Sequence, residues 1–418
     1  MRKSSVFLIL ACLVVLAFAD RGMGSTPIRL VTNVSGVDPY ERWERIAAAF
    51  HADRPDYHLD VEVVSGTEYP TKISLMVASG TSPDVFQTWG QYKALWAEQG
   101  LLMDLTPLWE QSAVAQGADI FPFMMEAAVY DGKIVGIPYD FSGITLTVNL
   151  DALREAGLPV PAFNWTVQEF RDYAIRLTRP DQGIYGTDRS DTRGNWIWAV
   201  NFTGDGWLSE DRKEVLVQSP GYIELLEYWL DLIELGAAPP PGRAASRSSW
   251  EGGYGFWQGW AHYGQNLERA ATYDWAMVPF PKGPVADLHF AHGHMWSLPS
   301  NAEHPERGWV FLEWLLSPEG QRAIVTLDGR QPLSNDPDLW ALFFSAVRSS
   351  EKQAMLYELV IGEMYGKNRI HTMQYWTAWP EAERIMQSYL DRVFRGLESP
   401  VSAMEKAATE LRASAVLR

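Results

Sequence analysis

The chain has 418 residues, with 52 acidic side chains against 35 Lys and Arg, one cysteine and 19 tryptophans. A net charge of −17 repels phosphate backbones and anionic lipid, so nucleic acid and membrane surfaces are poor partners. With 47% apolar residues the chain can bury large cores and is not disordered, and its length suggests roughly two to three domains.

The N-terminus reads Arg2-Lys3, a mostly apolar run from Val6 to Ala19, then Asp20. The run is too short to span a bilayer, and Ala17-Phe18-Ala19 has the small-x-small pattern of a signal-peptidase site. Residues 1–19 are therefore expected to be a removed export signal, and the protein to be periplasmic or extracellular. Ile9-Leu10-Ala11-Cys12 resembles a poor lipobox, but the apolar run continues through Phe18, which favours cleavage after Ala19 over lipid anchoring at Cys12. The mature chain would then lack cysteine, and with it disulfide and thiolate chemistry. Loss of Arg2 and Lys3 leaves 33 basic residues against 52 acidic, a net charge of −19.

Ile28 to Thr32 reads as a buried first strand. Asp38-Pro39-Tyr40-Glu41 has the pattern of a capped helix start, and Trp43, Ile46, Ala47 and Phe50 then share one face. Leu59, Val61 and Val63 alternate as a second strand. A helix from about Tyr69 to Ser79 stops at Gly80, and Val85-Phe86 begins a third strand. This β-α-β-α-β order makes a parallel sheet with helices on both faces, and ligands bind beyond the carboxyl ends of such strands. Three loops qualify, Asn33 to Val37, Ser65 to Tyr69 and Gln87 to Tyr92, with Ser35, Glu68, Trp89 and Gln91 as candidate contacts. Trp89 could alternatively pack a helix onto the sheet.

Residues 129–178 are the most informative stretch. Asp131-Gly132 favours a tight turn. Pro138 cannot donate to a ladder and is expected to mark the end of one sheet. The elbow Tyr139-Asp140-Phe141-Ser142 offers Asp140 and Ser142 as polar contacts, and Ile144 to Val148 is expected to be a strand of a different sheet. A helix begins near Asp151 and stops at Gly157. Thr166 and Glu169 form a capping box, with Phe170, Tyr173, Ala174 and Leu177 as the core face of the helix they start.

Gly204-Asp205-Gly206-Trp207 is a turn that sets an acid, Asp205, beside an aromatic, Trp207. Tyr222 to Leu235 reads as a core helix. The glycine-rich run Gly252 to Trp260 has the wrong spacing and no basic residue for a phosphate loop, but carries Trp257 and Trp260. Gly293 to Leu298 is a further strand, Gly329-Arg330-Gln331-Pro332 a further turn, and the chain from Leu339 is expected to be helical to its end. Trp376 and Trp379 lie in a Tyr/Trp/Pro cluster just before a helix.

These pieces resemble the solute-binding proteins of bacterial ABC importers, specifically the extracellular family that binds sugars and oligosaccharides. The resemblance rests on Asp131-Gly132-Lys133 with Pro138, on Asn149, on Gly157-Leu158, and on Trp165-Thr166 with Glu169. It extends to the Ser-Pro-Asp-Val segment at 82–85, to Gly259-Trp260-Ala261, to the Pro-Lys-Gly turn at 281–283, and to Gly329 with Pro332. It implies an α/β two-lobe periplasmic-binding-protein fold of type II, each lobe a mainly parallel sheet flanked by helices, with three crossings. The lobes would comprise residues 20–138 with 284–328, and 139–283 with 329–418. It also implies that Trp260 stands over the ligand, that Trp376 or Trp379 covers it, and that Arg330 lies at the third crossing. The ligand would be a sugar or oligosaccharide, the partner a membrane permease, the protein monomeric, and no cofactor is implied.

His289, His292 and His294 lie within six residues, a spacing that a metal site could use. No acid follows closely after Asp287, and a polar ligand contact by His294 is preferred. A secreted glycosidase would need two carboxylates. Asp140 and Asp205 are the candidates, but nothing pairs them, and no G-x-S-x-G or H-E-x-x-H occurs. The sequons at Asn33, Asn164 and Asn201 are attributed to chance. Among non-sugar solutes a polyol remains open, and a sugar phosphate is disfavoured by the scattered Lys and Arg.

Overall fold

The computed structural model describes residues 24–33, 38–66, 68–188, 192–209, 212–367, 369–372 and 378–414. Strand β1 (Thr26–Asn33) pairs in parallel with β2 (Tyr57–Val64) on one side and β3 (Val85–Trp89) on the other. Side chains alternate across this sheet. Ile28 and Leu30 enter one core with Trp43, Ile46 and Phe50 of the helix Pro39–Asp53. Val31 and Phe86 enter the opposite core with Tyr69, Ile73 and Val77 of the helix Tyr69–Ala78. One local expectation fails. Asp38 does not cap the first helix with its side chain; it takes a left-handed φ of 49°, and its carboxylate instead lies 3.2 Å from Arg269.

The Asp-Gly turn closes a hairpin of β4 (Val129–Tyr130) and β5 (Lys133–Ile134), with φ of 49° at Asp131 and 73° at Gly132. Next comes β6 (Ile137–Asn149), buried along its whole length. Its first half, to Gly143, pairs antiparallel with β10 (His289–Ser297). From Ile144 onward it pairs with β8 (Tyr254–Trp260) and β9 (Trp275–Val278). The strand is thus continuous through Pro138, and the change of partner falls at Gly143–Ile144. A register irregularity between His294 and Met295, opposite Tyr139, accommodates the proline, as bulges do.

The main sheet runs β2-β1-β3-β10-β6-β8-β7, with β7 at Tyr185–Thr187; β9 adds to β6, and β11 (Ile370–Thr372) adds to β10. Beyond β6 the same alternation builds a second pair of cores. Ile144, Leu146, Val148, Phe256 and Val278 face Phe170, Trp198 and Trp229, whereas Trp257 and Met277 face Trp340, Phe343 and Leu359. The chain after Leu339 is mostly helical but is interrupted by β11, whose three residues complete the edge of β10. The last helix, Pro400–Ala413, is capped by Ser399 and buries Ala403, Met404, Ala407, Ala408 and Leu411. No described helix is long and apolar enough to cross a membrane. The result is a two-lobe α/β architecture whose halves share β6 and β10.

Candidate binding site

A cavity open to solvent lies where the strands of both halves converge. The carboxyl ends of β1 and β3 bring Asn33, Gln87 and Trp89, and the following helix brings Gln91. Strands β6 and β10 bring Asp140, Ser142, His292 and His294. The end of β8 and the turn after it bring Trp260, His262 and Tyr263. Asn266, Arg42, Asp328 and Arg330 complete the lining.

Its floor is an ion network. Asp140 Oδ2 lies 2.5 Å from Arg330 Nη1, and Asp140 Oδ1 accepts from the His294 backbone N–H at 2.8 Å and lies 2.9 Å from its ring Nδ1. Arg330 Nε donates to Asp328 Oδ2 at 3.0 Å, and Arg42 Nε lies 2.9 Å from Asp328 Oδ1. The Tyr139 hydroxyl donates to the same Asp328 carboxylate, while the Arg330 guanidinium stands 5.5 Å from the centre of the Tyr139 ring. Burial alone would raise the Asp140 carboxyl, but His294 and Arg330 outweigh it and hold it well below the usual carboxylate range. Burial also opposes the charge on Arg330, yet Asp328 and Asp140 overcome that and keep it firmly protonated. Burial, reinforced by Arg330, pushes His262 well below its ordinary value, so its ring is neutral.

Above this floor stand two indoles. Trp89 stacks on the fully buried Tyr69 at 5.3 Å and 15°, and the Tyr69 hydroxyl is itself anchored on the Gln87 carbonyl at 2.6 Å. Trp260 packs edge-on against His292 at 4.6 Å, with the His262 ring nearly parallel to it at 6.3 Å. The Trp89 indole N–H, Gln91 Oε1 and His262 Nδ1 are enclosed and have no partner among the described residues. Such groups are costly unless something fills their valence.

Of the residues singled out in the sequence, Trp89, Gln91, Asp140, Ser142, Trp260, His294 and Arg330 come together on this cavity. Glu68 is exposed and Asp205 half-buried, and neither lines it. Trp207 and Trp379 stack face to face at 5.3 Å and 3°, each 1% exposed, inside a hydrophobic core. Trp257 points to the opposite face of β8 from Trp260 and gives its indole N–H to Tyr273 at 2.8 Å. Ser35 and Trp376 lie outside the described residues. A Cβ on Gly259 would sit 2.9 Å from Thr147 Oγ1, so the glycine serves packing between β6 and β8.

Asn33, Arg42, Gln87, His262, Tyr263, Asn266 and Asp328 also line the cavity without having been indicated as contacts by the sequence, and His292, read there only as a possible metal ligand, lines it too. Asn33 and Gln87 do sit at the ends of loops that the parallel-sheet rule indicates. His289, unlike its neighbours, is fully buried away from the cavity, and burial pushes its ring down to about 3. No group of three or more His, Cys, Asp or Glu among the described residues could hold a metal ion.

Two sheet systems joined by shared strands, with a polar and aromatic cavity between them, define a two-lobe binding protein. The chain belongs to the bacterial extracellular solute-binding proteins, whose family model matches residues 33–322. A binding protein of Brucella abortus (strain 2308) is 21% identical over 428 residues, 98% of each chain. Among solved structures, the fold matches an ABC substrate-binding protein of Listeria monocytogenes in complex with cycloalternan. That likeness has a TM-score of 0.82 and 18% identity, and covers 93% of this chain and 98% of that one. It also matches a solute-binding protein of Agrobacterium radiobacter K84 in complex with ribitol. There the TM-score is 0.75 and the identity 22%, over 94% of this chain and 100% of that one.

Proposed function

We propose that this chain captures an uncharged, polyhydroxylated solute (a sugar, oligosaccharide or polyol) in the cavity and delivers it to the membrane permease of an ABC importer. The observation that carries this reading is the pairing of two indole faces with a charge-compensated floor, Arg42 and Arg330 against Asp140 and Asp328. Indoles offer rigid surfaces to the C–H faces of a sugar, and fixed carboxylates, guanidinium groups and amides suit its hydroxyls. With the cations already balanced, a phosphate would find no net attraction. Cycloalternan on the Listeria neighbour and ribitol on the Agrobacterium neighbour support this class of ligand.

The solute leaves chemically unchanged. Asp140 is held ionised by Arg330 and His294 and has no proton to lend as a general acid, and Asp205 does not line the cavity to complete a pair. We assign residues 20–138 with 284–328 to one lobe and the remainder of the mature chain to the other, with export after cleavage at Ala19 and a monomeric protein. The change of core along β6, from Tyr139 to Ile144, supports a crossing within that strand, a few residues beyond 138. Mass spectrometry of the secreted protein should find Asp20 at its N-terminus; a lipidated Cys12 would refute cleavage there.

A thermal-shift screen of the mature chain against neutral sugars, oligosaccharides and polyols tests the ligand class. A solute at 100 times its Kd adds about 2.7 kcal/mol of stability. Chromatography of the same mixtures should show no product. Stabilisation by none of the panel, but by a peptide or a metal ion, would overturn the reading.

A further inference from the structure

We propose that Asp328 is the residue that makes this site select uncharged over acidic solutes. The inference rests on the sugar-binding reading above. Asp328 ends the short π-helical turn Ile324–Asp328 and precedes Gly329, which turns the chain at φ 70°. Although the residue borders the cavity, its side chain is fully enclosed, 0% exposed. One carboxylate oxygen faces Arg42 of the helix Pro39–Asp53, and the other takes hydrogen bonds from Arg330 and from the Tyr139 hydroxyl of β6. Three segments distant in the chain therefore converge on one carboxylate that a solute does not reach.

What a solute meets is the guanidinium groups of Arg42 and Arg330. Unbalanced, two cations at a shielded cavity would attract a carboxylate strongly. Asp328 and Asp140 cancel them, so an anionic solute would shed its hydration without a net opposing charge in return. Rejection of the wrong partner by an unrewarded desolvation is a common route to specificity. Asp140 supplies half of this balance from within the cavity, and it also engages His294. Asp328 supplies the other half from behind the arginines.

The test is calorimetric titration of wild type, Asp328→Asn, Arg42→Gln, Tyr139→Phe and the Arg42→Gln/Asp328→Asn double variant. The probes are matched neutral and acidic pairs: glucose and glucuronate, mannitol and mannonate, maltose and maltobionate. Wild type takes the neutral member of at least one pair. Asp328→Asn shifts the neutral-to-acid affinity ratio for that pair at least tenfold toward the acid. The double variant, again charge-balanced, returns the ratio to the wild-type value. Tyr139→Phe, which removes a hydrogen bond but no charge, weakens both members and leaves the ratio in place. Should Asp328→Asn not fold, Arg42→Gln alone carries the test, because it must move the ratio further from the acid. A ratio unmoved in these charge variants, with neutral binding intact in wild type, overturns this inference alone. A wild type that binds no member of any pair overturns the sugar reading and this inference with it.

Discussion

Tryptophans that look alike in the sequence separate by what surrounds them. Trp260 is half-buried at the cavity wall beside His292, while Trp207 is sealed against Trp379. Trp260→Ala is expected to leave the stability of the empty protein near normal and to cost on the order of 2 kcal/mol in affinity, roughly a thirtyfold loss. Trp207→Ala is expected to destabilise the fold by ~3–5 kcal/mol through an unfilled core cavity. Urea unfolding and solute titration of both variants check this, and a strongly destabilised Trp260→Ala would mean that its indole serves packing. His289 gives a pH prediction. Its ring titrates at 6.5 in the unfolded reference and near 3 when folded, because burial opposes the charged form. The unfolded chain therefore takes up the proton first. The stability tied to the neutral ring is complete above pH 6.5 and is lost as pH falls from there toward 3, by a few kcal/mol at most. His262 shifts in the same direction. The melting temperature of His289→Leu should fall less steeply between pH 6.5 and 4 than that of wild type; parallel curves would contradict the assignment. A place on the cavity was legible where a strand end or an elbow offered it, as at Trp89 and Asp140, and at Arg330 only through the family resemblance. It was not legible at Arg42, which reads as a surface charge on an amphipathic helix until its partner Asp328 is brought beneath it. Nor was its absence at Trp257, where the odd spacing from Trp260 turns one indole away from the other.

At the scale of elements, the site depends on how closely β6 and β10 approach. A Cβ on Gly293 would lie 2.1 Å from the Asp140 backbone oxygen, so only glycine permits the register that sets His294 against Asp140. Gly293→Ala is expected to cost ~1–3 kcal/mol of stability by overpacking and to weaken solute binding together with it, measured by urea unfolding and by titration. Wild-type values in both would show that the strands tolerate the spread. The parallel pairing of the first three strands, the Asp131-Gly132 hairpin, the Thr166–Glu169 capping box and the Ser399 helix start were all readable, because each rests on local chemistry. The continuity of β6 through Pro138 was not. Proline is accommodated there by an irregularity in pairing with β10, a strand about 150 residues later. Three-residue β11 was hidden for a similar reason: its pairing with β10 is remote in sequence.

For the whole molecule, composition bounded the answer without giving it. A net charge of −17 surrounds a site in which Asp140 and Asp328 match Arg42 and Arg330, so the far field already disfavours anionic solutes before any contact is made. The two-lobe organisation was reachable from the order of short motifs across 129–178 and was not deducible from periodicity alone. The central claim, capture of one neutral polyhydroxylated solute by the Asp140-centred cavity, is tested most directly by calorimetric titration. The mature chain and its Asp140→Asn variant are titrated with whichever neutral sugar or polyol stabilises the protein. One solute per wild-type chain, with affinity at least tenfold weaker in the variant, is the predicted result; saturable binding that is unchanged in Asp140→Asn would contradict it.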